Sequence, residues 1–402
     1  MLRLEDFLRM CVEKQGSDVH FKTDAGKIYL RIHGDLELVE GVETYSNEQF
    51  TKALYVLLND HQIERFQKEL ELDFALEIEG VARFRGNAYQ QRGYVQAAFR
   101  VIPYEIQSME ELHLPEACYD FIDRPRGLVL VTGPAGSGKS TTLAAMIDRI
   151  NRQQPLHIVT VEDPIEFVHA DAKALINQRE LDVDTNSFAN ALKYVLRQDP
   201  DVILVGEMRD LETIHLAITA AETGHLVFGT LHTVDAIQTV DRIVDVFPTF
   251  QQQQIRMQLS VNLVGVLSQT LVKRSDNRGR IAAFETLVAT SAVRNLVREN
   301  KTYQIGSMIQ TGSRQKMHTL DQSLARLVEQ GLVRHDEARS RAKDPGEFDR
   351  LVALAQGKSA HSKDKAHHSG DSSDDDGDTQ DKSKAKGVRG QPFRPAFKKE
   401  SY

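Results

Sequence analysis

One short segment, GPAGSGKS at residues 133–140, constrains this chain more than any other. It follows the apolar run Leu128–Val131 and precedes a stretch with helical character, so it joins a predicted strand to a predicted helix. In that context the pattern G-x-x-x-x-G-K-[ST] predicts a phosphate-binding loop rather than a chance glycine-rich turn. Glycines let backbone N–H groups converge on phosphates, and the helix presents its positive N-terminal end to them. The segment therefore predicts a domain that binds a nucleoside triphosphate with Mg²⁺.

The loop residues divide into two roles. We expect Lys139 to reach the β- and γ-phosphates and Ser140 to hold the Mg²⁺. The remaining predicted nucleotide contacts are Gly133, Pro134, Ala135, Gly136, Ser137, Gly138 and Thr141.

Composition argues against several other classes of protein. No stretch approaches the ~20 apolar residues of a membrane span, and the acidic, interrupted N-terminus is unlike a signal peptide. Cys11 and Cys118 are the only cysteines and form no C-x-x-C pair, which favours a reducing cytoplasm and disfavours a zinc site. The net charge of −8 does not indicate general nucleic-acid binding, although it leaves a local basic channel as an alternative. We therefore expect a cytoplasmic protein with no membrane insertion and no nucleic-acid partner.

Residues 1–105 carry the pattern of a small α+β domain. Apolar side chains at helical spacing predict a helix over 4–12, and the capping box Ser46–Gln49 predicts a second helix after it. Alternating patterns predict antiparallel strands at 27–32, 36–38, 74–78, 81–89 and 94–102.

From about residue 110 strands and helices alternate, which is typical of a parallel sheet covered by helices. Buried strands are predicted at 128–132, 156–161, 202–205 and 226–229, and helices at 141–151, 188–197 and 211–223. After about residue 250 helical periodicity dominates, with segments at 256–271, 292–299 and 320–330. We assign residues 106–345 to this second domain.

Residues 346–402 are predicted to be a disordered charged tail. Between Ala355 and Gly387 there is no Val, Ile, Leu, Phe or Met, so the segment cannot bury enough apolar surface to offset its ordering entropy. Phe393 and Phe397 lie beside basic groups near the end. A solvated tail is the favoured interpretation, and a short docking peptide is the alternative.

A carboxylate follows one of the buried strands. The run Val202–Val205 ends in Gly206 and Glu207, at the edge where α/β sheets bind ligands. Glu207 is the candidate for activating the attacking water. The metal-side Asp that such sites usually have just before this Glu is replaced by Gly206, so another acid must support the Mg²⁺.

The segment VEDPIEF supplies further acids directly after the predicted strand 156–161. Glu162 is the favoured metal or water ligand and Asp163 the second. For Asp163 a purely structural alternative stays open, since an Asp-Pro pair also forms turns.

Two histidines flank the strand in TGHLVFGTLHT. His232 would lie at the carboxyl end of this strand, close enough to contact the γ-phosphate. His225 lies at the other end, and this position favours a structural role. A structural role for His232 is the open alternative.

Arginines of the N-terminal domain are candidates for stabilising transition-state charge. Arg83 and Arg85 are two residues apart on a predicted strand and so share a face; Arg92 and Arg100 lie in the same domain. They are either ordinary solvated arginines or groups that a neighbouring subunit lends to the nucleotide, an effect of roughly 10³–10⁵ in rate.

Taken together, these motifs resemble one family. GPAGSGKSTTLAAM, VEDPIEFVH, DPDVILVGEMRDLETI and TGHLVFGTLHT are similar to the phosphate loop, Asp box, second acidic motif and His box of the secretion and pilus ATPases. GVARFRGNAY and AFRVIP match in the N-terminal domain, and SAVRNLVRENKTYQI is similar to the AIRNLIRE motif of type IV pilus retraction ATPases. The similarity runs from residue 1 to about residue 345.

This resemblance implies an α/β fold class with a PAS-like N-terminal α+β domain and a RecA-like P-loop ATPase domain that ends in a helical part. It implies a homohexameric ATPase with ATP and Mg²⁺ as cofactors, powering pilus retraction and twitching motility. The expected partners are the inner-membrane pilus platform protein and a second retraction ATPase, with the ring at the inner face of the cytoplasmic membrane.

Motif position also implies residue roles. Glu207 falls on the catalytic glutamate and Glu162 on the Asp-box glutamate, while His225 and His232 fall on the His-box pair. Three N-terminal arginines, Arg83, Arg85 and Arg100, fall at positions that complete a nucleotide site between the two domains.

The sequence departs from the family pattern in small ways. Ala135 replaces a usual Thr in the loop, and Val293 and Val297 replace Ile in the AIRNLIRE-like run. An assembly or secretion ATPase of the same fold is the main alternative, but such members usually carry a tetracysteine motif and an extra N-terminal domain. A nucleic-acid ring motor is the less favoured alternative, because no basic cluster with interleaved aromatic residues is evident. A regulator without activity would require a dead site, whereas Lys139 and Glu207 are both present.

Overall fold

The structure is a computed structural model that describes residues 3–32, 34–102 and 105–366, with side chains described up to residue 355. Residues 1–356 form one compact unit. The tail predicted beyond residue 366, including Phe393 and Phe397, lies outside the described residues.

The N-terminal domain is an antiparallel sheet packed against helices. Its six strands are ordered β3-β2-β1-β6-β5-β4, and its core contains a cluster of phenylalanines in which Phe21 packs edge-on against Phe7 and Phe99. Its elements are α1 Leu4–Glu13, β1 Gly16–Lys22, β2 Lys27–Ile32, β3 Asp35–Leu38, α2 Asn47–Val56, α3 Asp60–Glu69, β4 Glu71–Ile78, β5 Ala82–Gln91 and β6 Tyr94–Ile102.

Most of the elements predicted for this domain are present. The capping box before α2 is confirmed, since Ser46 accepts from the Gln49 backbone while the Gln49 side chain accepts from the Ser46 backbone. Strand β1 and helix α3 were not predicted. In β1 the buried and polar Asp18 interrupts the apolar pattern, and α3 carries only Ile63 and Phe66 as large apolar residues.

The second domain is built on a seven-stranded sheet with the order β13-β12-β7-β11-β10-β8-β9. Every neighbouring pair is parallel except β12 with β13. Its elements are α4 Ala117–Ile122, β7 Gly127–Thr132, α5 Lys139–Gln153, β8 His157–Glu162, β9 Leu175–Glu180, α6 Phe188–Val195, β10 Val202–Val205, α7 Leu211–Glu222, β11 Leu226–Leu231, α8 Ala236–Asp245, α9 Thr249–Asn262, β12 Leu263–Lys273 and β13 Arg280–Val288.

The prediction of one helix over 256–271 is wrong. Helix α9 ends at Asn262, and the chain then enters β12 in the interior of the sheet. The run from Leu263 to Leu267 has no polar side chain on either side of the strand, because both faces are covered. A short apolar run of this kind cannot be told from a buried helix by periodicity alone. Strand β13 was missed as well.

Helices cover both faces of this sheet. One face packs against α6 to α10, with Leu192, Ile218 and Leu259 in the shared core. The other face packs against α4 and α5, where Phe121 and Ile147 are fully buried. This two-sided burial explains why the strands read as continuous apolar runs rather than alternating ones.

The C-terminal part is helical and reaches further than the sequence indicated. Its helices are α10 Ser291–Arg298, α11 Ile305–Thr311, α12 Leu320–Glu329, α13 His335–Arg341 and α14 Pro345–Ala366. Phe348 and Val352 of α14 are buried against Leu324 and Ala338. The tail boundary placed at residue 346 is therefore too early, because this apolar pair, four residues apart, completes a small core.

We expect Phe348→Ala to lower the free energy of unfolding by about 3–5 kcal/mol, since it removes a fully buried ring and leaves a cavity. The thermal midpoint should fall clearly. Leu354→Ala on the same helix is the matched control, because that side chain is 55% exposed. Equal midpoints for the two variants would contradict the packing of α14.

Candidate active site

The glycine-rich loop leaves the sheet at its centre, between the end of β7 and the start of α5. Gly133, Gly136 and Gly138 have φ values of 145°, 73° and 90°, which side chains rarely tolerate. At Gly133 a Cβ would also collide with the carbonyl oxygen of Gln269. Glycine is therefore required for the loop's shape.

Strand β12 braces this loop from the side. The Gln269 amide donates to the Ser137 carbonyl oxygen over 2.7 Å, and Thr132 Oγ1 donates to Ser268 Oγ over 2.9 Å. Sequence reasoning missed both contacts because it assigned Ser268 and Gln269 to a helix.

Lys139 opens helix α5 and folds back over the loop. Its Nζ donates to the carbonyl oxygens of Gly133 and Pro134 at 2.9 and 3.2 Å. Burial lowers the pKa of Lys139, an effect that the charges of Glu207 and Glu166 oppose. The ammonium group is thus already positioned at the glycine-rich loop.

One cavity brings together the groups that the sequence placed in three separate motifs. Ser140, Glu162, Asp163 and Glu207 all line it, together with Glu166. They come from the start of α5 and from the carboxyl ends of β8 and β10. The predicted convergence of the loop and the two acidic motifs is therefore present in the structure.

Glu162 is held by two neighbours on the same sheet. Its Oε1 accepts from Thr160 Oγ1 at 2.7 Å and from the Gln178 amide at 3.0 Å. Burial raises the pKa of Glu162 to about 7, even though both hydrogen bonds favour the charged form. Gln178, on β9, was not anticipated, because nothing in its local sequence distinguishes it.

Asp163 follows directly and precedes Pro164, to which it is joined by a cis peptide bond. Burial raises the pKa of Asp163, against the opposing charges of Arg209 and Arg85. Asp163 therefore lies in the cavity and within electrostatic range of an N-terminal arginine.

Glu207 carries the most specific set of contacts in the cavity. Its Oε1 lies 2.5 Å from Arg209 Nε and 2.9 Å from His232 Nε2. Partial burial alone would raise the pKa of Glu207, but the contacts with Arg209 and His232 outweigh it and the pKa lies below its ordinary value. His232 thus joins the site as predicted, whereas Arg209 was missed although it lies only two residues after Glu207.

A steric reason explains Gly206 at the position where an aspartate was expected. Its N–H donates to the Val161 carbonyl oxygen over 2.7 Å. A Cβ there would lie 3.0 Å from both the Glu162 Cα and that same oxygen. Because β10 and β8 approach closely here, a side chain would fit only if the neighbouring backbone shifted by a few tenths of an ångström.

Within this chain His225 lies away from the glycine-rich loop, so the nucleotide contact that the His-box resemblance implies for it stays a prediction. His225 precedes β11 at the sheet edge opposite the loop, and its Nδ1 lies 2.9 Å from the Ala220 carbonyl oxygen. Its position fits the structural role that strand geometry alone favoured.

The three predicted N-terminal arginines have different surroundings. Arg83 Nη2 lies 2.6 Å from Glu180 Oε2, and both side chains are largely buried. Arg100 is exposed, pairs with Asp18 at 2.9 Å and lies opposite Arg85 in the β5–β6 register. Arg83 therefore reaches the second domain within one chain, and Arg85 acts on Asp163 there through its charge, whereas the Arg100 side chain is held by its own domain.

A family model described as Type II/IV secretion system protein matches residues 3–340. The chain belongs to this family. It is 56% identical over 315 residues to a twitching motility protein of Neisseria gonorrhoeae, covering 78% of this chain and 84% of the relative. It is 49% identical over 345 residues to the type IV pilus retraction ATPase PilT of Pseudomonas aeruginosa, covering 86% of this chain and 99% of the relative.

A solved structure of a family member has the same fold. The crystal structure of the pilus retraction motor PilT with bound ADP superimposes with a TM-score of 0.81 at 44% identity, covering 87% of this chain and all of that one. Nucleotide binding is thus a property of this family's fold.

The glycine-rich loop of the present chain fits a phosphate group. The Ser137 hydroxyl is buried and has no hydrogen-bond partner among the described residues. It lies beside glycines whose backbone N–H groups can converge on an anion. The loop therefore provides both side-chain and backbone donors for phosphate oxygens.

The predicted metal ligands Ser140, Glu162 and Asp163 remain a prediction. Over the described ranges, no three His, Cys, Asp or Glu side chains cluster closely enough to hold a metal ion by themselves. Mg²⁺ at nucleotide sites usually takes one or two protein ligands and completes its shell with phosphate oxygens and water. Separately, no helix in the described part of the chain is long and apolar enough to span a membrane.

The raised pKa of Glu162 predicts a pH effect on stability without nucleotide or metal. The folded protein retains this proton up to about pH 7, whereas the unfolded chain releases it near the ordinary glutamate pKa of 4.5. The stabilisation is complete below the lower value and is lost as pH rises through 7, on the order of 3 kcal/mol in total. Glu162→Gln should therefore melt progressively higher than the wild type as pH rises from 5.5 to 8.

Thermal melts in EDTA measure this difference. Glu48→Gln is the control, since contact with Lys52 lowers the pKa of the exposed Glu48 and removes its titration from this range. A constant difference between Glu162→Gln and wild type across this pH range would contradict the prediction.

Proposed function

We propose that this chain is an ATPase motor that powers retraction of type IV pili. The observation that carries the proposal is the placement of Glu207, bound by His232 and Arg209, across one cavity from Ser140 and the glycine-rich loop. The relatives named for twitching motility and pilus retraction supply the biological process.

The loop holds the triphosphate by its backbone. Its N–H groups and the start of α5 bind phosphate oxygens, and Lys139 exchanges the carbonyls of Gly133 and Pro134 for the β- and γ-phosphates. The carbonyl contacts keep the ammonium close to its working position, which limits the entropy lost on binding.

Glu207 orients the attacking water. Its shortest contacts with Arg209 and His232 both fall on Oε1. With a pKa below its ordinary value, the carboxylate is charged and accepts a hydrogen bond from water in the cavity. His232 and Arg209 fix its direction, so the principal role of Glu207 is positioning the water rather than strong general-base catalysis.

Mg²⁺ would neutralise charge on the β- and γ-phosphates when it is bound with ATP. Ser140 is its proposed ligand from the loop, and Glu162 or Asp163 supports it directly or through water. The Thr160 and Gln178 contacts keep Glu162 at the cavity wall.

The active assembly is proposed to be a homohexameric ring at the inner face of the cytoplasmic membrane. In this ring the N-terminal arginines complete the nucleotide site, and movement of Arg83 away from Glu180 would couple the nucleotide to domain motion. The pilus platform protein and a second retraction ATPase are the proposed partners.

Hydrolysis by the purified protein tests the chemistry. We expect Lys139→Ala to lose ATP binding and Glu207→Gln to lose roughly 100-fold or more in turnover while still binding ATP, because the water loses its charged acceptor. Glu212→Gln, which alters an exposed residue near the start of α7, is the control. Normal turnover by Glu207→Gln would refute the role of this residue. Separately, the mass of the assembly in the same preparation tests whether it contains six chains.

The same variant tests the biological process in cells. Cells carrying Glu207→Gln in place of the wild type should show excess surface pili and lose twitching motility, because pili extend but are not withdrawn. Cells without pili would instead identify an assembly motor. Unchanged pili and motility would point to secretion or DNA uptake, with the hydrolytic chemistry intact.

A further inference from the structure

A second cavity lies at the opposite edge of the sheet from the glycine-rich loop. Three arginines line it, namely Arg124, Arg126 and Arg294, and we call it the arginine cavity. It opens beside Gly127, where β7 begins, whereas the loop follows Thr132 at the other end of this strand. Strand geometry separates these two ends by roughly 17 Å.

Arg294 is held rigidly in this cavity. Its Nε donates to the Ala289 carbonyl oxygen at 2.9 Å, Nη2 donates to Leu263 at 3.0 Å and Nη1 donates to Val261 at 2.5 Å. A guanidinium group has five N–H donors, so two are left for a further acceptor. The side chain is thereby fixed in place without being saturated.

Arg124 and Arg126 are exposed, and their contacts differ from those of Arg83 and Arg100. Within the described ranges neither side chain forms an ion pair or a hydrogen bond, whereas Arg83 and Arg100 each bind a carboxylate. No aspartate or glutamate lines the arginine cavity. Its charge is therefore uncompensated by the lining residues.

Two of the three charges, those of Arg124 and Arg294, are also close enough to interact. Burial lowers the pKa of Arg294, and the neighbouring charge of Arg124 lowers it further. Like charges held together in a partly enclosed site repel one another, and an anion between them relieves this repulsion. Planar guanidinium groups match phosphate oxygens in geometry as well as in charge.

The remaining wall is apolar. Val264 is buried at the back of the cavity, while Val261 at its mouth is 64% exposed. Gly127 lets the backbone approach this wall closely, since a Cβ there would lie 2.5 Å from Val264 Cγ2. The cavity thus combines a cationic face with a small apolar surface.

We propose that the arginine cavity is a second ligand site of this chain, which binds a phosphate-bearing anion. The ligand is either a soluble phosphate compound or the headgroup of an anionic phospholipid, since both present the same oxygens. The site is separate from the nucleotide site and does not depend on the proposed function. Because Arg294 belongs to helix α10, occupancy would act on the segment that resembles the retraction motif.

Calorimetric titration of the full chain with inorganic pyrophosphate in Mg²⁺-free buffer tests the site. The glycine-rich loop also binds phosphate, so the readout is the number of sites per chain. We expect Arg124→Ala/Arg126→Ala to show one site fewer than the wild type, or at least a tenfold weaker affinity at that site. Arg294 is left unchanged because its three carbonyl contacts are structural.

The matched control is Arg334→Ala/Arg350→Ala, which removes two exposed arginines elsewhere on the chain. It should bind as the wild type does. Identical isotherms for the wild type and Arg124→Ala/Arg126→Ala would overturn the proposal. Dissociation of the oligomer in the latter variant alone would also overturn it, because the arginines would then serve a subunit contact.

Vesicle sedimentation separates the two sources of phosphate. Sedimentation of the wild type with phosphatidylglycerol vesicles but not with phosphatidylcholine vesicles would identify a lipid headgroup, provided that Arg124→Ala/Arg126→Ala abolishes it. Pyrophosphate binding that requires these arginines without sedimentation would identify a soluble ligand. Failure of both probes to depend on these arginines would overturn the proposal.

Discussion

Parallel pairing of the central strands aligns the groups of the active site at one edge of the sheet. Thr132 at the end of β7 pairs with Leu231 of β11, and Val205 of β10 pairs with both Gly229 of β11 and Val161 of β8. The residues that follow these positions are the glycine-rich loop, His232, Glu207 and Glu162. A shift of one residue in any pairing would turn the side chains to the opposite face and separate the site.

Different surroundings give the three acids of this edge different properties. Burial raises the pKa of Glu162 and of Asp163. Arg209 and His232 have the opposite effect on Glu207, whose pKa is lowered despite its own partial burial. One cavity therefore contains a carboxylate kept charged by its neighbours, as its proposed role requires, and two whose charged form calls for a nearby cation. This division of roles follows from local partners, since the side chains are chemically the same or nearly so.

Strand β12 connects the two ends of the domain. At its start, the Leu263 carbonyl accepts from Arg294, and further along the strand Gln269 donates to Ser137 in the glycine-rich loop. The arginine cavity and the loop therefore contact the same strand, one at Leu263 and the other at Gln269.

The sequence by itself determined the groups that chemistry requires at fixed spacing. The loop at 133–140, the strand followed by Glu207, and the Asp-box acids can be read locally, because glycine conformation, strand hydrophobicity and charge are properties of short segments. The parallel sheet of the second domain and several of the helices followed from periodicity in the same way.

Tertiary structure alone decided the rest. It made β12 a strand instead of a helix, since burial on both faces removes the alternation that marks a strand. It also placed Arg209, Gln178 and Gln269 beside the groups they hold and paired Arg83 with Glu180 across a long stretch of sequence. These outcomes depend on which surfaces meet after folding, and a side chain's partner across a sheet leaves no signal in its neighbours along the chain.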